Sequence, residues 1–112
     1  MDKLTKYRDL VKQFLREHAD PPPHSGDGIE CEAVIDEALD HYELMNVGWK
    51  DERRIHGCLL HVDIRNGKIW IQHDGIERCL ADWLVEAGVP KSDIVLGYHS
   101  PFKRKFTEFA VG

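Results

Sequence analysis

The spacing of apolar residues predicts a helix at the N-terminus. They recur three and four residues apart, so they share one face of a helix. The residues on this face are Leu4, Tyr7, Val11, Phe14, Leu15 and His18. The helix is predicted to end before Pro21-Pro22-Pro23, because proline lacks an amide donor and restricts the residue before it. Residues 20–28 are predicted to form an irregular surface loop.

Alternation of apolar and charged residues predicts strands in the middle of the chain. Residues 29–36 have the pattern of a strand with one face in water. A loop around residues 37–40 leads to a second predicted strand at about 42–49, and the two are expected to pair as a hairpin.

A second hairpin is predicted around Asn66-Gly67, which separates the strand-like segments 53–65 and 68–73. This dipeptide favours a two-residue type I′ turn, because both positions need a positive φ. The turn sets the register, with the facing pairs Arg65–Lys68, Ile64–Ile69, Asp63–Trp70, Val62–Ile71 and His61–Gln72. The residues then predicted to face the core are Cys58, Leu60, Val62, Ile64, Ile69 and Ile71.

The order of elements indicates an α+β fold. Asp74 is predicted to cap a central helix, with Glu77 completing a capping box, and Gly88 and Pro90 end that helix. Residues 93–98 form a further predicted strand. The order α-β-β-β-β-α-β predicts an antiparallel sheet of two hairpins plus a further strand, packed with an N-terminal and a central helix. With 112 residues, the chain is expected to be a single domain, residues 1–112.

Composition narrows the classes of function. The formal net charge is −5, whereas a protein that neutralises many DNA phosphates needs a basic surface. The cysteines Cys31, Cys58 and Cys79 form no CxxC pair, which argues against a disulfide framework or a zinc ribbon. No apolar segment has the length of a membrane span or follows the pattern of a signal peptide, so a cytoplasmic protein without membrane association is predicted.

The seven histidines do not assemble a predicted metal site. His61 and Asp63 share one strand face, as do His56 and Cys58, but each pair supplies two ligands where a site needs three or four. The serines lack a G-x-S-x-G context, and the cysteines fall on segments predicted to be apolar. The sequence therefore predicts no catalytic residues, no metal and no cofactor, and it indicates a binding protein rather than an enzyme.

Aromatic residues on polar surfaces are the better candidates for a function. Trp70 lies on the polar face of the second predicted hairpin with His61, Asp63 and Gln72, which is the composition of an interface hot spot. Trp49, at the end of a predicted strand, is a second candidate for partner binding. The alternative for Trp70 is that a helix or strand of the same chain covers it.

Positive charge is concentrated at Lys103-Arg104-Lys105, between Phe102 and Phe106. These cations could contact a nucleic-acid backbone or an acidic partner. The alternative is a solvated segment flanked by two core phenylalanines, since three charges release few counterions.

Several segments, distributed from end to end, resemble the XisI family. They are Met1-Asp2-Lys3-Leu4-Thr5-Lys6-Tyr7-Arg8, Val47-Gly48-Trp49, residues 51–58, the block from His61 to Gly75, residues 84–99 and Thr107-Glu108-Phe109-Ala110-Val111. The resemblance implies a controlling factor for excision of a developmentally removed DNA element in cyanobacteria. It also implies action alongside a XisH-like protein and a separate site-specific recombinase, and it carries no catalytic residues over to this chain.

Three functions remain open at this point. The first is a non-enzymatic accessory factor for programmed DNA excision that binds a XisH-like protein and reaches DNA only through that complex. The second is an antitoxin-like regulator whose acidic surface masks a nuclease-like partner. The third is direct DNA binding through the basic cluster. An uncovered strand edge could also pair two copies of the chain as a homo-oligomer.

Overall fold

The computed structural model describes residues 2–19, 28–76 and 79–112. Its elements are α1 (Lys3–Ala19), β1 (Ile29–Asp36), β2 (His41–Lys50), β3 (Arg53–Arg65), β4 (Lys68–Asp74), α2 (Leu80–Glu86), a 3₁₀ turn (Lys91–Asp93), β5 (Ile94–Leu96) and α3 (Pro101–Arg104). The predicted α+β fold and its element order α-β-β-β-β-α-β are therefore confirmed, with the short α3 as an addition. Apart from Gly28, the predicted loop at 20–28 lies outside the described residues.

The five strands form one sheet in sequence order, β1-β2-β3-β4-β5. The first three pairings are antiparallel, and β5 joins β4 in parallel. The parallel pairing follows from the connection, because the chain crosses through α2 between β4 and β5 and so returns in the same direction. The sheet was predicted to be antiparallel; it is mostly so, with β5 joined in parallel.

The core lies between the two longer helices and one face of the sheet. Phe14 of α1 contacts Trp83 of α2 edge-on, with ring centroids 5.2 Å apart. The buried side chains of the sheet and of the two helices form one cluster, which includes Val11, Leu15, Tyr42, Leu44, Leu60, Val62, Ile69, Ile71, Leu80 and Leu84. One sheet face is therefore covered by helices, and the other is left for polar residues. No helix in the described ranges is both long and apolar enough to cross a membrane.

The Asn66-Gly67 hairpin forms as predicted at its turn. Asn66 and Gly67 both have positive φ, 55° and 73°. Four of the five predicted pairs are present, from Arg65–Lys68 to Val62–Ile71. The fifth was wrong: the register shifts next to His61, which faces His73, so Gln72 is an extra residue on β4. Such a β-bulge bends the strand and redirects the side chains beyond it.

A second bulge corrects the prediction for Cys58. Leu44 faces Leu60 and Met45 faces Cys58, which leaves Leu59 as the extra residue on β3. The inward-facing positions therefore change at this point, and Leu59 packs against the core while Cys58 is exposed. Strict alternation of inward and outward residues from Leu60 predicts that Cys58 faces the core. The bulge at Leu59 interrupts this alternation.

The start of the central helix also differs from the prediction. Cys79 occupies the N-cap position, without a side-chain hydrogen bond. The carboxylate of Asp74 instead accepts hydrogen bonds from the amides of Ile76, at 3.2 Å, and Leu80, at 3.4 Å. Glu77, the other member of the predicted capping box, lies outside the described residues.

Candidate binding surface

Asp63 is the centre of a hydrogen-bond network on the polar face of the sheet. Its side chain is buried, with the residue only 4% exposed. Its Oδ1 lies 2.5 Å from Nδ1 of His41 and 3.0 Å from Nε2 of His61. Its Oδ2 accepts from Nη2 of Arg65 at 3.1 Å and from Nε2 of Gln72 at 3.2 Å. Both oxygens of this carboxylate therefore have two hydrogen-bond partners each.

Strand pairing brings these groups together. His41 faces Asp63 across β2 and β3, and Asp63 faces Trp70 across β3 and β4. Glu43 faces His61, with its Oε1 3.8 Å from Nε2 of that histidine. Residues two apart on a strand share a face. The four side chains therefore lie together on one face of the sheet, two from β2 (His41 and Glu43) and two from β3 (His61 and Asp63).

The network favours a charged Asp63. Burial would raise the pKa of its carboxyl group, but the hydrogen bonds from His41 and Arg65 outweigh burial and hold that pKa below its usual range. The hydrogen bond to Asp63 in turn raises the pKa of His41. The two residues therefore stabilise opposite charges on each other.

Sequence reasoning placed His61 and Asp63 on one face but missed His41. The ligand atoms of these three residues lie within 4.8 Å of one another, a grouping that could hold a metal ion. The third residue comes from a neighbouring strand, so only the register between β2 and β3 could have revealed it. That register depends on the bulge at Leu59, which has no clear local signal in the sequence.

Trp70 is half-buried and partly covered by its own chain. The guanidinium groups of Arg65 and Arg104 both lie over its ring, 5.1 and 5.3 Å from the ring centroid. Its Nε1 is buried and has no hydrogen-bond partner among the described residues. The cover comes from residues 97–112, here called the C-terminal segment, which bridges to β5 at Val95–Ala110. The alternative of intramolecular cover therefore holds for part of this side chain.

The basic cluster divides into two kinds of residue. Arg104 is half-buried and donates to the carbonyl oxygens of His99, Gly97 and Val111 at 3.0, 3.4 and 3.4 Å. Lys103 and Lys105 are exposed. Arg104 is therefore engaged within the chain, whereas the two lysines are exposed to solvent.

The phenylalanines that flank the basic cluster are not core residues. Phe102 is 67% exposed and Phe106 77%, and their rings contact each other edge-on with centroids 5.3 Å apart. The alternative of two core phenylalanines was therefore wrong. The exposed aromatic rings sit beside Lys103 and Lys105, so this end of the molecule combines apolar and basic surface.

Trp49 is exposed at the end of the β2–β3 hairpin. Its side chain is 53% exposed, and the guanidinium of Arg54 lies 5.3 Å from its ring. The two residues face each other across the strands. This pair is separate from the Asp63 network, so the predicted partner-binding residues divide between a hairpin tip and a polar sheet face.

The architecture defines a class: a small α+β protein with helices on one sheet face and a polar network on the other. The XisI protein family model matches residues 1–111. The chain therefore belongs to the XisI family. No curated protein matches it significantly.

Two solved structures from Anabaena variabilis ATCC 29413 are similar to this chain. A XisI-like protein is 42% identical, with a TM-score of 0.90, and the match covers 97% of this chain and 99% of the other. The fdxN element excision controlling factor XisI is 37% identical, with a TM-score of 0.85, covering 99% and 100%. The likeness extends over essentially the whole length of all three chains.

Proposed function

We propose that this chain is a non-catalytic controlling factor for DNA-element excision that acts by binding a XisH-like protein. The excision role is supported by its 37% identity to the fdxN element excision controlling factor XisI. The observation that favours protein binding is the exposed Trp49 with Arg54 at the tip of the β2–β3 hairpin. Tryptophan and arginine are the residue types most enriched in interface hot spots.

The hairpin tip is the primary contact in this proposal. An exposed indole stacked by a guanidinium offers a large apolar area whose position is already restricted, so binding orders few further groups. His61, Trp70 and Gln72 remain predicted partner contacts, and Asp63 belongs to the same predicted set. Because Asp63 is buried, it would support neighbouring side chains rather than touch a partner directly.

A binding measurement with a purified XisH-like protein tests this function. We expect purified chains to form a complex in which Trp49→Ala weakens binding by about 2 kcal/mol or more, measured by calorimetry. Leu39→Ala is the matched control, because Leu39 is also an exposed apolar residue, 67% exposed, but lies in the β1–β2 turn. Absence of a complex would refute the choice of partner. Equal affinities of the two variants would remove the hairpin tip from the interface.

An antitoxin-like regulator is the second candidate, and the net charge of −5 favours it. An acidic chain can mask the basic groove of a nuclease-like partner and thereby block access of DNA. Expression of the XisH-like protein alone would then slow growth, and co-expression of this chain would restore it. Unimpaired growth with the partner alone would reject this version.

Direct DNA binding has less support. Arg104 of the basic cluster is held against Trp70 and three carbonyl oxygens, which leaves Lys103 and Lys105 as its exposed cations. Two phosphate contacts release few counterions and give weak binding. A gel shift at low salt that is lost in the Lys103→Glu, Lys105→Glu double variant would support DNA contact instead.

A further inference from the structure

We propose that His41, His61 and Asp63 form a binding site for one divalent transition-metal ion of the Zn²⁺ class. We call these three residues the His–Asp cluster. The inference is independent of the proposed function, because it rests on the ligand geometry of this chain alone.

The positions of the three ligand atoms are close to those of a metal site. Nδ1 of His41 and Nε2 of His61 both point at Oδ1 of Asp63, at 2.5 and 3.0 Å, and all three atoms lie within 4.8 Å of one another. Tetrahedral ligands at Zn²⁺ bond lengths are about 3.3 Å apart. The two contacts with Oδ1 are shorter than this, so each imidazole would move slightly away from Asp63 on metal binding, and the side chain of His41 is half exposed.

The carboxylate of Asp63 is already oriented for this role. Arg65 and Gln72 hold Oδ2, at 3.1 and 3.2 Å, and this leaves Oδ1 directed at the two imidazoles. Metal ligands typically have such outer partners, which fix their orientation. The charge of Arg65 opposes a cation nearby, but its contact is to the oxygen on the far side of the carboxylate.

Both irregularities in the strand ladders lie next to the cluster. The ladder between β3 and β4 shifts at His61, and the ladder between β2 and β3 shifts at Leu44, next to Glu43. Bulges are over-represented beside functional sites, where they redirect a side chain. Here Gln72, the extra residue of the bulge at His61, is also the residue that donates to Oδ2 of Asp63.

The ligand set selects the kind of ion. Two imidazoles and one carboxylate suit Zn²⁺, Co²⁺ or Ni²⁺, whereas Mg²⁺ and Ca²⁺ prefer oxygen ligands alone. Glu43, whose Oε1 lies 3.8 Å from Nε2 of His61, is placed to supply a fourth ligand or to orient a bound water. The exposed side of His41 gives the ion a path from solvent.

Calorimetric titration of the full, untagged chain with Zn²⁺ at pH 7.5 tests the site. We expect one ion per chain and a rise in melting temperature. His41→Gln and His61→Gln should each weaken binding by more than the roughly 10-fold to 100-fold that loss of an outer partner costs, and Gln72→Leu should weaken it within that range. The matched control is His56→Gln, which alters an exposed histidine of β3 outside the cluster.

His41→Gln keeps the fold testable, because glutamine can still donate to Asp63 and the position is exposed. Titration with Co²⁺ identifies the ligands, since imidazole and carboxylate give visible d–d bands without the charge-transfer band of a thiolate. Loss of those bands in His41→Gln supports the site. No Zn²⁺ binding by the parent chain, equal binding by His41→Gln and His56→Gln, or a thiolate band would overturn it.

Discussion

Single polar contacts join the N-terminal helix to the sheet and its connections. The hydroxyl of Tyr7 donates to Oδ2 of Asp93, just before β5. Arg8, one residue later, donates to both carboxylate oxygens of Asp40, at 2.8 and 3.1 Å, in the turn before β2. The hydroxyl of Tyr42 donates to the same Asp40 at 2.9 Å. The helix is thus joined to the turn before β2 and, 86 residues along the chain, to the turn before β5.

Replacement of Tyr7 by phenylalanine should lower the free energy of unfolding at pH 7. The tyrosine is only 3% exposed, and the change removes one hydrogen bond to a charged acceptor, which contributes about 1–2 kcal/mol. Chemical denaturation measures the loss. Tyr98→Phe is the control, because Tyr98 is 47% exposed and should tolerate the change. Equal losses for both variants would mean that the contact with Asp93 contributes nothing specific.

Tyr7 also makes the free energy of unfolding depend on pH in the alkaline range. Burial, together with Asp93, raises the pKa of Tyr7 from its ordinary value of 10.0 to about 12. The folded chain therefore keeps this hydroxyl protonated after the unfolded chain has begun to ionise. Its contribution is complete below pH 10 and is lost as the pH rises towards 12. We expect the parent chain to lose more stability than Tyr7→Phe across that interval; parallel curves would contradict this account.

At the scale of elements, close approach of two backbones fixes where β1 meets β2. A Cβ atom added at Gly48 would lie 2.0 Å from the carbonyl oxygen of Gly28 and 2.7 Å from Cα of Ile29. The amide of Trp49 donates to that same carbonyl oxygen at 3.1 Å. Only a residue without a side chain fits between these groups.

Gly48→Ala should therefore separate the start of β1 from the end of β2. Both neighbours are backbone atoms, so relief needs a shift of the strand, and overpacking of this kind costs about 1–3 kcal/mol. Gly57→Ala is the matched control on the adjacent strand, because no atom lies within 4 Å of a Cβ added there. Chemical denaturation of the two variants checks the difference. A Gly48→Ala variant as stable as Gly57→Ala would show that the strands can move apart at no cost.

Elements whose sequence signal lies within a few neighbouring residues could be predicted, and features that depend on pairing between strands could not. Asn66-Gly67 sets its own turn, so the first four pairs of that hairpin followed from the sequence. The bulges at Leu59 and Gln72 have no clear local signal in the sequence, and simple alternation therefore misplaced Cys58 and the partner of His61. For the candidate site, the same limit applied: His61 and Asp63 are neighbours on one strand, but His41 joins them only through the register of another.

At the scale of the whole molecule, the C-terminal segment closes the polar side of β4 and β5. The amide of Ala110 donates to the carbonyl oxygen of Ile94 at 2.9 Å, and Lys68 donates to the carbonyl oxygen of Gly112. Arg104 ties the segment together by three carbonyl contacts and by its position over Trp70. The sheet is thus covered by α1 and α2 on one side and, over two strands, by the C-terminal segment on the other.

Arg104→Ala should loosen this cover without unfolding the sheet. Three carbonyl oxygens lose a charged donor and Trp70 loses a stacked guanidinium, for a combined cost of about 1–3 kcal/mol. Hydrogen exchange followed by mass spectrometry should show faster exchange at the amide of Ala110. Lys105→Ala is the matched control, because it removes an exposed positive charge one residue away. If Arg104→Ala exchanged no faster than Lys105→Ala, the bridge between Val95 and Ala110 would be sufficient to hold the segment, and Arg104 would be free to act in binding after all.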